Sequence, residues 1–231
     1  MFLVIEKRKM LICISVTLII CLIGITGVAV YCNLPRPDIT VVIDAGHGGG
    51  DGGVSGKESG VSESEINLLV AFSLKSKLEK RGVRVVMTRE KKSVLEGGKG
   101  TKADDFAKRK EIINEACPDL VISLHQNKFP DESRRGAQVF FNQYSSEGKL
   151  FATAVQTALN ELNEQNVGRT FTPLKGDYYL LNCSSYPSCI VECGFLSNQE
   201  DEKLLLSVEY RDLLTDKISK GIFAYLDEKS L

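Results

Sequence analysis

The stretch Val41-Val42-Ile43-Asp44-Ala45-Gly46-His47-Gly48-Gly49-Gly50-Asp51-Gly52-Gly53 decides the fold. It continues a β-branched run begun at Ile39, the pattern of a strand buried on both faces. It then breaks into glycines, which let the backbone turn sharply and let a bulky substrate come close. A strand buried on both faces calls for helices above and below a sheet, and the chain supplies them. Residues 65–81 have helical spacing, with Ile66, Leu69, Val70, Leu74 and Leu78 on one side and Gly82 as the stop. Residues 83–87 form the next strand, and the polar stretch 89–103 reads as a loop. Asp104 or Asp105 caps a helix that ends before Pro118, and residues 120–124 are a third buried strand. Residues 137–141 are a fourth strand, followed by a helix from Ser145 or Ser146 to about Leu162. Residues 178–181 and 189–192 are shorter strand candidates, and a last helix spans about residues 208–226. Strands alternating with helices predict an α/β fold: a single three-layer domain over residues 39–231, its mostly parallel twisted sheet flanked by helices.

Upstream of that domain the composition changes. Lys7, Arg8 and Lys9 precede an uncharged stretch at residues 10–30, about the length a bilayer-spanning helix needs. Positive residues stay on the cytoplasmic side, so the bulk of the chain is expected outside. A cleavable signal peptide is the rival reading, with Gly27-Val28-Ala29 as a small-x-small site, but its apolar core is usually shorter. The expectation is a signal-anchor segment at 1–32, a linker with two prolines at 33–38, and an extracytoplasmic working domain.

The rest of the composition mainly excludes. Hydrophobic residues make up 43% and charged residues 26% of the 231, ordinary for a soluble globular domain. A formal net charge of −1 argues against nucleic acid as a partner. The Lys108-Arg109-Lys110 cluster reads as a solvated helix face. Seven cysteines contain no C-x-x-C pair, so zinc-knuckle and thioredoxin-like patterns are absent. Buried free thiols are the expected state, with a bridge from Cys183 to Cys189 or Cys193 left open.

The chain holds two histidines, and each follows a predicted buried strand: His47 after the first and His125, in Leu120-Val121-Ile122-Ser123-Leu124-His125-Gln126-Asn127, after the third. In open α/β sheets the carboxyl ends of the strands are where ligands bind. Either histidine taken singly is more often a hydrogen-bonding residue, but two imidazoles on one such edge are natural zinc ligands. Gly46-His47-Gly48-Gly49 fits neither dinucleotide nor P-loop spacing, which weakens a phosphate reading. A catalytic zinc needs a third protein ligand. Glu58, Glu63 and Glu65 all stand near the first helix start, where a carboxylate is also at home simply as a helix N-terminal charge. Glu192, in Ile190-Val191-Glu192-Cys193-Gly194-Phe195-Leu196-Ser197-Asn198, ends an apolar strand. Such a group suits a general base beside a metal-bound water, or else a structural salt bridge or helix cap. No serine or cysteine lies in a nucleophile motif.

Taken together, four blocks resemble the zinc-dependent N-acetylmuramoyl-L-alanine amidases of the amidase-3 family: V-V-I-D-A-G-H-G-G-G-D-G-G, E-S-E-I-N-L, L-V-I-S-L-H-Q-N and V-E-C-G-F-L-S-N, spread over about residues 40–226. The resemblance implies a zinc triad of His47, Glu63 and His125, with Glu65 the near competitor to Glu63, and Glu192 as the catalytic carboxylate. It implies hydrolysis of the amide between the lactyl group of N-acetylmuramic acid and L-alanine in peptidoglycan, with Glu192 taking a proton from water and passing it to the departing amine. Asn127 and Asp44 are expected to support the ligands or orient substrate. Arg89 and Arg109 are candidates for stem-peptide contact, with structural pairing favoured for both. The short domain behind one apolar segment is most similar to the germination-specific subgroup of spore formers, which implies a role in spore cortex maturation and a lipoprotein activator as partner. The H-Q-N at His125, where many relatives have H-A-N, is expected to alter the groove lining rather than the metal. A different zinc peptidase and a silent peptidoglycan- or partner-binding module are the alternatives.

Overall fold

The computed structural model describes residues 15–17, 39–92 and 101–229. The chain divides into two units, Met1–Pro37 and Asp38–Leu231. In the first, residues 15–17 are helical and exposed. The remainder of the apolar segment and the linker lie outside the described residues. Among the described residues no helix is long and apolar enough to cross a membrane.

The second unit is built on a six-stranded sheet: β1 (Thr40–Ala45), β2 (Arg84–Met87), β3 (Leu120–Asn127), β4 (Gln138–Phe141), β5 (Leu174–Lys175) and β6 (Ser188–Phe195). The spatial order is β2-β1-β3-β6-β4-β5. All neighbours are parallel except β4 and β6, which run antiparallel. Helices α1 (Glu63–Glu79), α2 (Lys102–Ala116), α3 (Ser146–Val167), α4 (Tyr179–Asn182), α5 (Gln199–Leu206) and α6 (Val208–Lys229) complete the domain.

The alternation of strand side chains divides the core in two. Val41, Ile43, Leu120, Ile122 and Leu124 point to the face covered by α1, α3 and α6, where the main cluster gathers Ile66, Leu74, Phe151, Leu159, Ile218 and Tyr225. Val42 and Val121 point the other way, onto Ile113 and Ala116 of α2 and Leu180 of α4. By the same alternation Asp44 and Ser123, partners in the β1–β3 register, fall on this thinner second face.

Several local expectations change. Residues 178–181 are not a strand: Tyr178 is extended and caps the short α4, whose Leu180 seals the second face. A four-residue apolar run carries no period long enough to separate the two outcomes, and the position beside β4 is taken by β5. Helix α2 is capped by Thr101, whose side chain accepts from the Asp104 backbone N–H, rather than by Asp104 or Asp105. Ser145 caps α3 by accepting from Gly148, and the helix continues past Leu162 to Val167, where Gly168 takes a left-handed φ of 73°. The last helix is preceded by a separate one, α5, capped by Asn198, which accepts from the Glu200 and Asp201 N–H groups. Cys117, Cys183, Cys189 and Cys193 are free thiols. Burial pushes Cys189 and Cys193, both on the main-core side of β6, well above the ordinary thiol range, so they pack as inert apolar groups.

A candidate metal centre on the carboxyl edge of the sheet

β1 and β3 are neighbours and both end at the same edge, which brings His47 and His125 together although 78 positions separate them in the chain (125 − 47). Their rings meet edge to face with centroids 4.9 Å apart. Glu63, the first residue of α1, lies between them, only 2% exposed. Its Oε2 is 3.2 Å from His47 Nε2, and its Oε1 is 2.9 Å from His125 Nδ1. One donor atom from each of the three residues falls within 4.8 Å of the others. Glu65 instead pairs with Lys92 at 2.6 Å, and Glu58 meets the rest of the protein through its backbone N–H.

The backbone is shaped around this cluster. A Cβ on Gly46 would run into the His125 ring, and one on Gly53 would strike Glu63 and His47. Gly53 also has a φ of +68°, so glycine is required there twice over. His47 itself sits at φ 59°, a strained conformation for a side-chain-bearing residue. Two buried arginines hold it. Arg109 donates to the carbonyls of Ala45 and His47 at 3.1 and 2.7 Å. Arg89 donates to those of Ala45, Gly46 and Ser64 at 2.8, 3.0 and 2.7 Å. Both arginines therefore serve the fold, and neither is spare for a stem peptide. Asp44, 2% exposed, accepts from Arg109, Thr88 and Ser123 at the floor of the cleft beside the histidines. It supports the His47 loop through Arg109. The Asn127 side chain accepts from the Lys128 N–H at 2.8 Å.

The loop that leads into Glu63 is secured from far along the chain. Glu202 on α5, 1% exposed, accepts the N–H groups of Glu58 and Ser59 at 3.0 and 2.8 Å and the Ser59 hydroxyl at 2.6 Å. Glu63 also accepts backbone N–H bonds from Val54 and Gln126, both at 3.0 Å.

Electrostatics bind the three groups to one another. Burial works against ionised Glu63, but the bonds and charges of His125 and His47 outweigh it and hold the carboxyl far below its usual range. Burial likewise opposes charge on His47, yet Glu63 and Asp51 push its pKa up to about 9. Asp51, which sequence reasoning passed over, lies 2.8 Å from His47 Nδ1, while Nε2 is the ring nitrogen that meets Glu63. Its signal was its place in the same glycine-rich block, four residues after His47.

Glu192 faces His125 directly in the β3–β6 register. It is half-buried, and its Oε2 is sealed from solvent without a hydrogen-bond partner. Burial raises its pKa to about 7, with Glu63 pushing the same way and the two histidines opposing. A cleft of about 540 Å³ opens beside the histidines, with Asp51, Lys102, Phe106 and Leu180 among its walls.

Two imidazoles and one carboxylate within reach of a single ion suit zinc in donor type and number, and a nearby carboxyl free of partners suits hydrolysis. Fold and site together thus describe an α/β domain whose clustered donors could hold a metal ion for hydrolysis. Residues 41–224 match the family of N-acetylmuramoyl-L-alanine amidases designated Amidase_3, and the chain belongs to that family. A germination-specific N-acetylmuramoyl-L-alanine amidase of Bacillus subtilis (strain 168) is 36% identical over 202 residues, 85% of this chain and 84% of the relative. The CwlD amidase from Clostridioides difficile, solved in complex with the GerS lipoprotein, superposes with a TM-score of 0.74 at 33% identity, covering 83% of this chain and all of that one. An N-acetylmuramoyl-L-alanine amidase from Clostridium difficile 630 gives a TM-score of 0.73 at 27% identity over 84% of this chain and 99% of its own.

Proposed function

We propose that the domain removes stem peptides from peptidoglycan by hydrolysing the amide between the lactyl group of N-acetylmuramic acid and L-alanine, with zinc held by His47, Glu63 and His125 and with Glu192 as the proton carrier. The observation that carries this is the meeting of the three donors within 4.8 Å, with Glu192 across the strand from His125. Zinc bound there supplies Lewis acidity toward the scissile carbonyl and acidifies the attacking water. Glu192 takes a proton from that water as it attacks and returns it to the departing L-alanine amine. Asp51 keeps His47 in the tautomer whose Nε2 faces the site. The cleft admits the substrate from the side of α2.

Likeness to the germination-specific amidase and to the CwlD–GerS complex supports a role in spore cortex maturation and a lipoprotein partner. The basic residues followed by an apolar stretch at the N-terminus support tethering to a membrane with the domain outside the cytoplasm.

Incubation of the zinc-loaded protein with purified muropeptides tests the reaction. New lactyl carboxyl groups and free L-alanine amines are the expected products. Release of a C-terminal D-amino acid instead would mark a carboxypeptidase and end the proposal.

The support from Asp51 is separately measurable. Asp51→Ala is expected to weaken zinc binding by about tenfold, the low end for loss of a residue that orients a ligating histidine. Chelator competition reads this directly, and an affinity equal to that of the unaltered protein would remove Asp51 from the site's design.

A further inference from the structure

The side chain of Gln126 does not line the groove, contrary to the expectation drawn from the H-Q-N block: it is 3% exposed and turned into the interior beneath Glu63. The β3–β6 register shifts between His125 and Asn127, so the bulge frees the Gln126 backbone N–H from the ladder. That N–H goes to Glu63 Oε1 at 3.0 Å. The Gln126 side chain takes a second route to the same carboxylate. Its Nε2 donates to Asn67 Oδ1 at 3.1 Å. Asn67, fully buried one turn along α1, donates its own amide to Gly46 O at 3.1 Å and to Glu63 Oε1 at 3.4 Å.

We propose that Gln126 is a positioning residue of this chain's metal site, acting through Asn67 to fix the Glu63 carboxylate and thereby raise affinity for zinc. Two features make packing alone an insufficient account. Gln126 Oε1 is buried without a hydrogen-bond partner, a cost that an alanine or an apolar residue at this position would avoid. The amide orientation is also set: Asn67 Oδ1 can only accept, and both Asn67 donor contacts are directed at Gly46 and Glu63. The Gln126 amide thus holds Asn67 in the one rotamer that donates to the ligand side.

The inference rests on the reading of His47, Glu63 and His125 as a zinc site. Zinc affinity is measured by chelator competition on the full chain carrying Gln126→Met, which keeps the volume and loses the amide, and on Gln126→Ala. Both variants keep the backbone bond to Glu63. Both are expected to bind zinc about tenfold more weakly than the unaltered protein, within the range seen when outer partners of a ligand are removed. Unchanged affinity in Gln126→Met overturns the proposal, and so does restoration by Met of affinity lost in Ala, since packing would then be the cause. Failure of the unaltered protein itself to bind zinc overturns the underlying site assignment as well, which separates the two failures.

Discussion

Glu192→Gln lowers the rate of muropeptide hydrolysis by about 10³-fold or more, within the range general acid–base groups supply, and leaves zinc affinity close to that of the unaltered protein. Glutamine copies the shape of the side chain but cannot carry a proton. The carboxyl is suited to the task by where it sits. Burial first, then the charge of Glu63, raise its pKa to about 7 against the opposing histidines, so it exchanges a proton near neutrality. Among the described residues its buried Oε2 has no hydrogen-bond partner. Zinc titration beside steady-state kinetics separates the two effects. A kcat within about tenfold of the unaltered value would remove Glu192 from the chemistry.

The largest loss of stability is expected from Arg109→Ala, about 3–5 kcal/mol, the usual consequence of leaving one member of a buried ion pair alone. The side chains of Arg109 and Asp44 are 3% and 2% exposed. Removing the guanidinium strands Asp44 with only the Thr88 and Ser123 hydroxyls, takes the donor from the His47 carbonyl, and leaves the Ala45 carbonyl to Arg89 alone. Urea denaturation gives the number. The double replacement of Asp44→Asn with Arg109→Met should recover much of the loss, because no lone charge remains inside. If Arg109→Ala unfolds within about 1 kcal/mol of the unaltered protein, the pair is not the internal anchor described here. The pair also sets a pH dependence. Burial raises the Asp44 pKa, but Arg109, Ser123 and Thr88 outweigh it and the net value is lowered. A carboxyl depressed on folding contributes fully above its unfolded pKa, and that contribution is lost as the pH falls through the folded value.

Much of this architecture was legible because it rests on short-range regularities. β1 and β3 announce themselves as unbroken apolar runs, and each is followed by a histidine, so the shared edge could be inferred before any coordinates. The third donor was not legible from the residues alone. Glu58, Glu63 and Glu65 lie within one turn and a helix start, and what distinguishes Glu63 is non-local: N–H groups from Val54 and Gln126 converge on its carboxylate. Resemblance to the family pointed to it where local pattern could not. The antiparallel β4 was hidden for a related reason, since strand direction depends on how the chain travels between strands rather than on the strand's own residues. Gln126 was misread because it was weighed only as the neighbour of His125, whereas strand alternation sets it with Leu120, Ile122 and Leu124 on the face that α1 covers. Arg109 was read as part of a solvated basic run, and it is the middle member of Lys108-Arg109-Lys110 that turns inward to Asp44.

The clasp formed by Glu202 has a temporal meaning. Ser59 and Glu202 are 143 positions apart, so a nascent chain contains His47, Glu63 and His125 long before it contains the group that steadies the loop into Glu63. The loop that leads into Glu63 is therefore steadied only once α5 has docked.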